Sequence, residues 1–155
     1  MHANAPVAHR RSAGFTLIEL MVALAVTGIL LAVALPSFMD SIRKGRRSEA
    51  FTALSALQLA QERWRSNNAL YTQNLSDLSL TSPTGPGGYY ELTVVGSTAT
   101  ATGYVATANG TVSSQVNDGQ CAKLSVQVDR GAILVASCAS CTTFSYAATD
   151  PCWKR

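Results

Sequence analysis

The sequence predicts an α+β chain. A long N-terminal α-helix, apolar in its first half and amphipathic in its second, should pack on a four-stranded antiparallel β-sheet, with a disulfide-bearing C-terminal region. Three observations carry this. The stretch Gly14–Phe38 holds a single charged residue, Glu19. Apolar residues then recur at helical spacing as far as Trp64. After residue 88 the chain breaks into short runs rich in β-branched and aromatic residues.

Composition narrows the function classes. The 155 residues are 47% hydrophobic but only 14% charged, below the quarter or so of ordinary soluble proteins. The formal charge of +3 falls to +1 once Arg10 and Arg11 are set aside with residues 1–14. From Ala50 onward six acidic residues balance six basic ones, which argues against a large electrostatic footprint for nucleic acid.

Residues 1–14 are short, polar and basic. A secretory signal places its apolar region before a small-x-small cleavage site, and neither the order nor the motif fits here. The leader therefore reads as a handle on an apolar segment that is kept. Leu20 to Leu35 carries no charge and, with Phe15–Ile18, approaches the roughly 20 residues needed to cross a bilayer. Gly28 and Pro36 are the weak points of that helix, because proline lacks the backbone donor. Glu19 is costly in lipid and so reads as functional.

Gly14-Phe15-Thr16-Leu17-Ile18-Glu19-Leu20, with the basic leader before it and Pro36 after, resembles the class III signal of type IV pilins and type II secretion pseudopilins. The resemblance implies cleavage by a prepilin peptidase between Gly14 and Phe15, N-methylation of Phe15, and a role for Glu19 in assembly. It divides the chain into a leader (1–14), a transmembrane and assembly half of the helix (15–38), and an amphipathic half (39–66). An αβ-loop (67–88), an antiparallel sheet (89–137) and a C-terminal disulfide region (138–155) follow.

In the amphipathic half, Ala50, Leu54, Leu57, Gln61 and Trp64 form one stripe, widened by Phe51 and Ala53. Ser48, Ser55, Glu62 and Arg65 occupy the opposite side. A single helix from Phe15 to Arg65 would be on the order of 75 Å long. Arg43, Lys44, Arg46 and Arg47 are the one dense charge cluster. They read as a solvated turn near lipid headgroups, with pairing to acidic groups of neighbouring subunits, or a DNA-binding stripe, as alternatives. Counted by the positive-inside rule they would leave the C-terminus in the cytoplasm, whereas the cysteines and the leader point outward.

Asn67 and Asn68 suit a helix end, and Ser82-Pro83 and Gly85-Pro86-Gly87-Gly88 punctuate the loop that follows. Tyr71 with Leu75-Ser76-Asp77-Leu78 is similar to the αβ-loop of pilins. Strands are expected at 89–95, 98–108, 121–128 and 132–137, the last two joined by a tight turn at Asp129-Arg130-Gly131.

Cys121, Cys138, Cys141 and Cys152 all lie in the last third, which reads as two disulfides with three pairings open. A four-thiolate zinc site is disfavoured, because only one C-x-x-C is present. Resemblance to pilins with a disulfide-closed C-terminal region implies Cys121–Cys152, leaving Cys138–Cys141. Cys121–Cys138 with Cys141–Cys152 is the alternative.

Catalytic chemistry has little to stand on. Both histidines, His2 and His9, fall in the leader. No nucleophile elbow or phosphate loop is present, and Cys138-x-x-Cys141 lacks a thioredoxin-like βαβ setting. The expected function is therefore structural, with no enzyme activity and no cofactor. The chain reads as a PilE-like minor pilin, inserted in the bacterial inner membrane with a periplasmic head and then assembled into an extracellular pilus. Its implied partners are other pilin subunits, the prepilin peptidase, the assembly machinery and, before assembly, the membrane. A type II secretion pseudopilin, or a DNA-binding minor pilin used in natural transformation, are the alternatives.

Overall fold

The computed structural model describes residues 14–80 and 84–153. They form two compact units, one ending at Met39 and one running from Asp40. Helix α1 is assigned from Leu17 to Arg65 and passes through both Gly28 and Pro36.

In the second unit the helix buries Ala50, Ala53, Leu54, Leu57 and Gln61, residues spaced by three and four and hence on one face. Trp64 and Phe51 are half-buried against the same core. The helix ends where asparagines take over its last carbonyls. Asn67 N–H donates to Trp64 O at 3.1 Å, and the Asn68 side-chain amide donates to the same oxygen at 2.8 Å.

The sheet is antiparallel throughout, in the order β1 (Tyr90–Val94), β2 (Gly103–Gly110), β3 (Lys123–Asp129), β4 (Ala132–Cys138). The α+β architecture is thus the one expected from the sequence. Alternation puts Tyr90 and Leu92, Tyr104, Ala106 and Ala108, and Leu124, Val126 and Val128 against the helix in one core. Strands β3 and β4 join through the two residues Arg130 and Gly131, both with positive φ (49° and 81°), as a tight primed turn requires.

Strand β2 starts later than its β-branched residues suggested. Residues 96–98 form a 3-10 turn. The Thr100 hydroxyl accepts from the amides of Thr102 (3.3 Å) and Gly103 (3.1 Å), so this threonine serves a turn and not a ladder. Gly103 opens the strand because a Cβ there would collide with the Val128 carbonyl. The stretch expected to be a plain loop between β2 and β3 contains a short helix α2, Ser113–Val116.

The outer strands are each bridged by the chain's own loops, Thr84 to Glu91 on β1 and Val135 to Ala147 on β4. Behind the sheet, Tyr146 shares a hydrogen bond with buried Ser125 (2.8 Å). Trp153 donates from its indole to Ala136 O (3.1 Å) and stacks at 5.0 Å on Phe51. Cys121 is joined to Cys152 and Cys138 to Cys141.

Candidate functional site

The first unit is a helix start followed by an apolar surface. Gly14 and Phe15 precede the helix, and Phe15 is 79% exposed. The Thr16 hydroxyl accepts the Glu19 amide (3.3 Å), as an N-cap does for one of the unpaired donors of a first turn. Thr16-x-x-Glu19 has the spacing of a capping box, and the positive end of the helix favours a carboxylate there. The Thr27 hydroxyl returns to Ala23 O (2.8 Å), so the one polar side chain of the mid-helix is satisfied within it. An 18-residue window of the helix has mean hydropathy 2.5 and none of it is buried, so by length and composition this helix can cross a membrane. Residues 1–13, including both histidines, lie outside the described residues.

In the second unit the basic cluster is folded into the protein, which corrects the solvated-turn reading. Arg47 grips Asp118 through Nε–H (2.5 Å) and Nη2–H (2.7 Å). The Asp118 side chain is 4% exposed and that of Arg47 16%. The hydrogen bond to Asp118 raises the Arg47 pKa and outweighs the opposing effect of burial. Arg46 donates to the Ser114 hydroxyl and lies 4.4 Å over the Tyr89 ring. Arg43 pairs with Asp40 at 3.1 Å while its buried Nε finds no partner. Lys44 is exposed.

These contacts dock the β2–β3 connection on the helix. Fully buried Gln115 completes the joint, donating to the Tyr90 hydroxyl at 3.0 Å. Burial raises the pKa of that phenol, and the Gln115 hydrogen bond offsets only part of the rise. Glu49 holds the glycine-rich loop in the same manner, accepting from the amides of Gly87 (2.9 Å) and Tyr89 (3.2 Å). About three turns further along α1, Gln61 pins the loop after the helix. Its amide donates to Thr72 O (2.6 Å) and its carbonyl accepts Thr72 N–H (3.1 Å). Tyr71 packs on Tyr104 with ring centroids 4.9 Å apart and donates to Glu62 (2.9 Å).

Among the described residues no group of three His, Cys, Asp or Glu side chains converges to hold a metal. The first unit offers an apolar helical segment with a capped, acidic first turn, and the second a head whose α1–β1 and β2–β3 connections are tied to its own part of α1.

Comparison with known families agrees with that division. Residues 9–35 match the prokaryotic N-terminal methylation motif. Residues 36–125, more than half the chain, match the family described as type IV minor pilin ComP, DNA uptake sequence receptor. The chain belongs to this family of type IV minor pilins.

Among its relatives are curated pilins. The pilin resembles the type IV major pilin PilA of Myxococcus xanthus, 39% identical over 75 residues (48% of this chain, 34% of the relative). It also resembles the fimbrial protein of Moraxella nonliquefaciens, 45% identical over 58 residues (37% and 38%), and that of Neisseria meningitidis, 33% identical over 96 residues (62% and 56%). The pilin thus spans between about a third and just over half of the length of these relatives.

Sequence reasoning singled out the pilin's Gly14, Phe15, Glu19, Gly28 and Pro36, and the structure places all five in its first unit, the last three inside α1. The sequence placed Gln61 on the buried stripe without showing its partner, and Glu49, Gln115 and Asp118 carried no signal. The glycine run 85–88 was a readable hint that something approaches its amides closely. No local pattern marks Asp118 as the partner of Arg47, because the two are 71 positions apart.

Proposed function

We propose that this pilin is a minor subunit of a type IV pilus, matured by prepilin peptidase and assembled through its N-terminal helix. Peptidase cleaves between Gly14 and Phe15, and Phe15 is N-methylated. The subunit waits in the inner membrane with its disulfide-bearing head in the periplasm. The assembly machinery then draws it into a filament, where apolar contacts to like helices replace those to lipid. Glu19 pairs there with the methylated amine of Phe15 in an adjacent subunit, removing the several kcal/mol cost of a lone buried charge and setting register. Gly28 and Pro36 are the helix's points of adjustment during that transfer.

The match to the methylation motif, stopping at residue 35 where the head profile begins, carries this reading. Mass spectrometry of the membrane-extracted chain should find a methylated N-terminal phenylalanine, and a terminus at Met1 would overturn the proposal. Gly14→Asp should leave the precursor uncut. Glu19→Ala should be processed yet scarce in sheared filaments, and wild-type incorporation of that variant would remove the assembly role.

A second reading is a DNA receptor for natural transformation, favoured by the description of the family that matches residues 36–125. The engagement of Arg46 and Arg47 within the head reduces the cationic surface for it. Full-length chain in detergent should then bind labelled duplex DNA with an affinity that falls steeply with salt. Absence of binding at low salt would dismiss it.

A further inference from the structure

The two disulfides differ in span and in the exposure of one of their cysteines. Cys121–Cys152 spans 31 positions, and both cysteines belong to the hydrophobic core, 9% and 4% exposed. Cys138–Cys141 spans three positions at the end of β4. Cys138 is buried, Cys141 is part-exposed, and Ala139 and Ser140 between them are exposed. This loop lies beyond residue 125, where the family match ends.

We propose that Cys138–Cys141 is a thiol-exchange site, open in the folded chain to attack by an external thiolate at the Cys141 sulfur. The geometry assigns the direction. Cys141 is the more exposed residue of the pair, and Cys138 is the better leaving group because its sulfur accepts the Cys141 amide at 3.2 Å. Lys123 is the cross-strand partner of Cys138 on the same face of the sheet, and its ammonium lies 3.4 Å from Cys141 O. The amide donor on the Cys138 sulfur, with a cation on the paired residue of the next strand, favours its thiolate form.

In the first step the incoming thiolate bonds to Cys141 Sγ, the Cys138–Cys141 bond breaks, and its electron pair remains on Cys138 Sγ. With a monothiol such as glutathione, the Cys138 thiolate can return and expel the adduct, so no net oxidation occurs. With a dithiol, the second thiolate attacks the mixed disulfide at the dithiol's own sulfur. The dithiol is thereby oxidised, and Cys138 and Cys141 are left as thiols after gaining two electrons and two protons. The absence of a thioredoxin-like fold argues against a dedicated oxidoreductase, not against exchange.

The test uses the full-length chain in detergent micelles, titrated with glutathione, quenched with an alkylating agent and mapped by mass spectrometry. The expected result is a glutathione adduct on Cys141 at thiol concentrations that leave Cys121–Cys152 intact and circular dichroism unchanged. Lys123→Gln should slow adduct formation several-fold without altering the spectrum. Simultaneous opening of both bridges, an adduct on Cys138, or no adduct until the chain unfolds would each overturn the proposal. So would an unchanged rate in Lys123→Gln.

Discussion

Arg47 on the helix and Asp118 before β3 meet through two hydrogen bonds across 71 positions of sequence, with the carboxylate almost wholly enclosed. Removing one partner leaves the other as a charge in a poor solvent. Asp118→Ala should lower unfolding stability in urea by about 2 to 3 kcal/mol. The double variant Arg47→Met/Asp118→Leu should recover much of that loss, since a buried pair gains little over apolar residues of similar volume. Equal losses in the single and double variants would mean that packing, not charge pairing, holds the joint.

High pH should reveal the buried phenols. Burial pushes Tyr104 well above its ordinary 10.0, and Tyr90 and Tyr146 upward as well. Above pH 10 the unfolded chain releases these protons while the folded chain keeps them. Stability is therefore unaffected by them below pH 10 and falls as pH rises beyond it. The Arg47 pair is retained across that window, because its pKa is also raised. The Tyr104 hydroxyl is buried without a hydrogen-bond partner. Tyr104→Phe should thus be at least as stable as the native chain at pH 7 and should show a shallower alkaline decline in thermal melts.

Gln61 satisfies both backbone groups of Thr72 in a site with no access to water. Gln61→Leu keeps the bulk and deletes both bonds. The expected cost is about 2 to 4 kcal/mol, since two buried groups lose their partners. Hydrogen exchange at the Thr72 amide should accelerate before that of strand β3. Unchanged protection there would show that another group can take over the pinning.

The bridges should contribute unequally to the fold. Replacing Cys121 and Cys152 by serine should cost about 3 to 4 kcal/mol on the chain-entropy estimate for a loop of this length. Replacing Cys138 and Cys141 should cost appreciably less, and denaturant melts of the two double variants measure the difference directly.

Strands β3 and β4 were legible because 121–128 alternates cleanly and Gly131 marks the turn before the apolar run 132–137. The helix face was legible because Ala50, Leu54, Leu57 and Gln61 keep strict helical spacing. The start of β2 was not, because Thr98 and Thr100 have strand-like side chains that are spent on a turn. The basic cluster was misread for a different reason. Four cations within five positions look solvated until the fold brings Asp118, Ser114 and Tyr89 to Arg46 and Arg47, and those partners have no local signature. Glu49 likewise reads as an ordinary polar residue of a helix, and Gln61 as a stripe position with no visible partner. Their importance comes from loops that the helix pattern cannot place.

Both outer strands of the sheet already carry backbone from their own chain. The Gly85 amide donates to Tyr90 O at 2.9 Å beside β1, and Val135 and Ala147 exchange two hydrogen bonds beside β4. An open strand edge invites a second chain to add itself, the route by which sheets grow into fibres. Here the ladder is stoppered at each end, so a head concentrated among its neighbours has little incentive to zip onto them edge to edge.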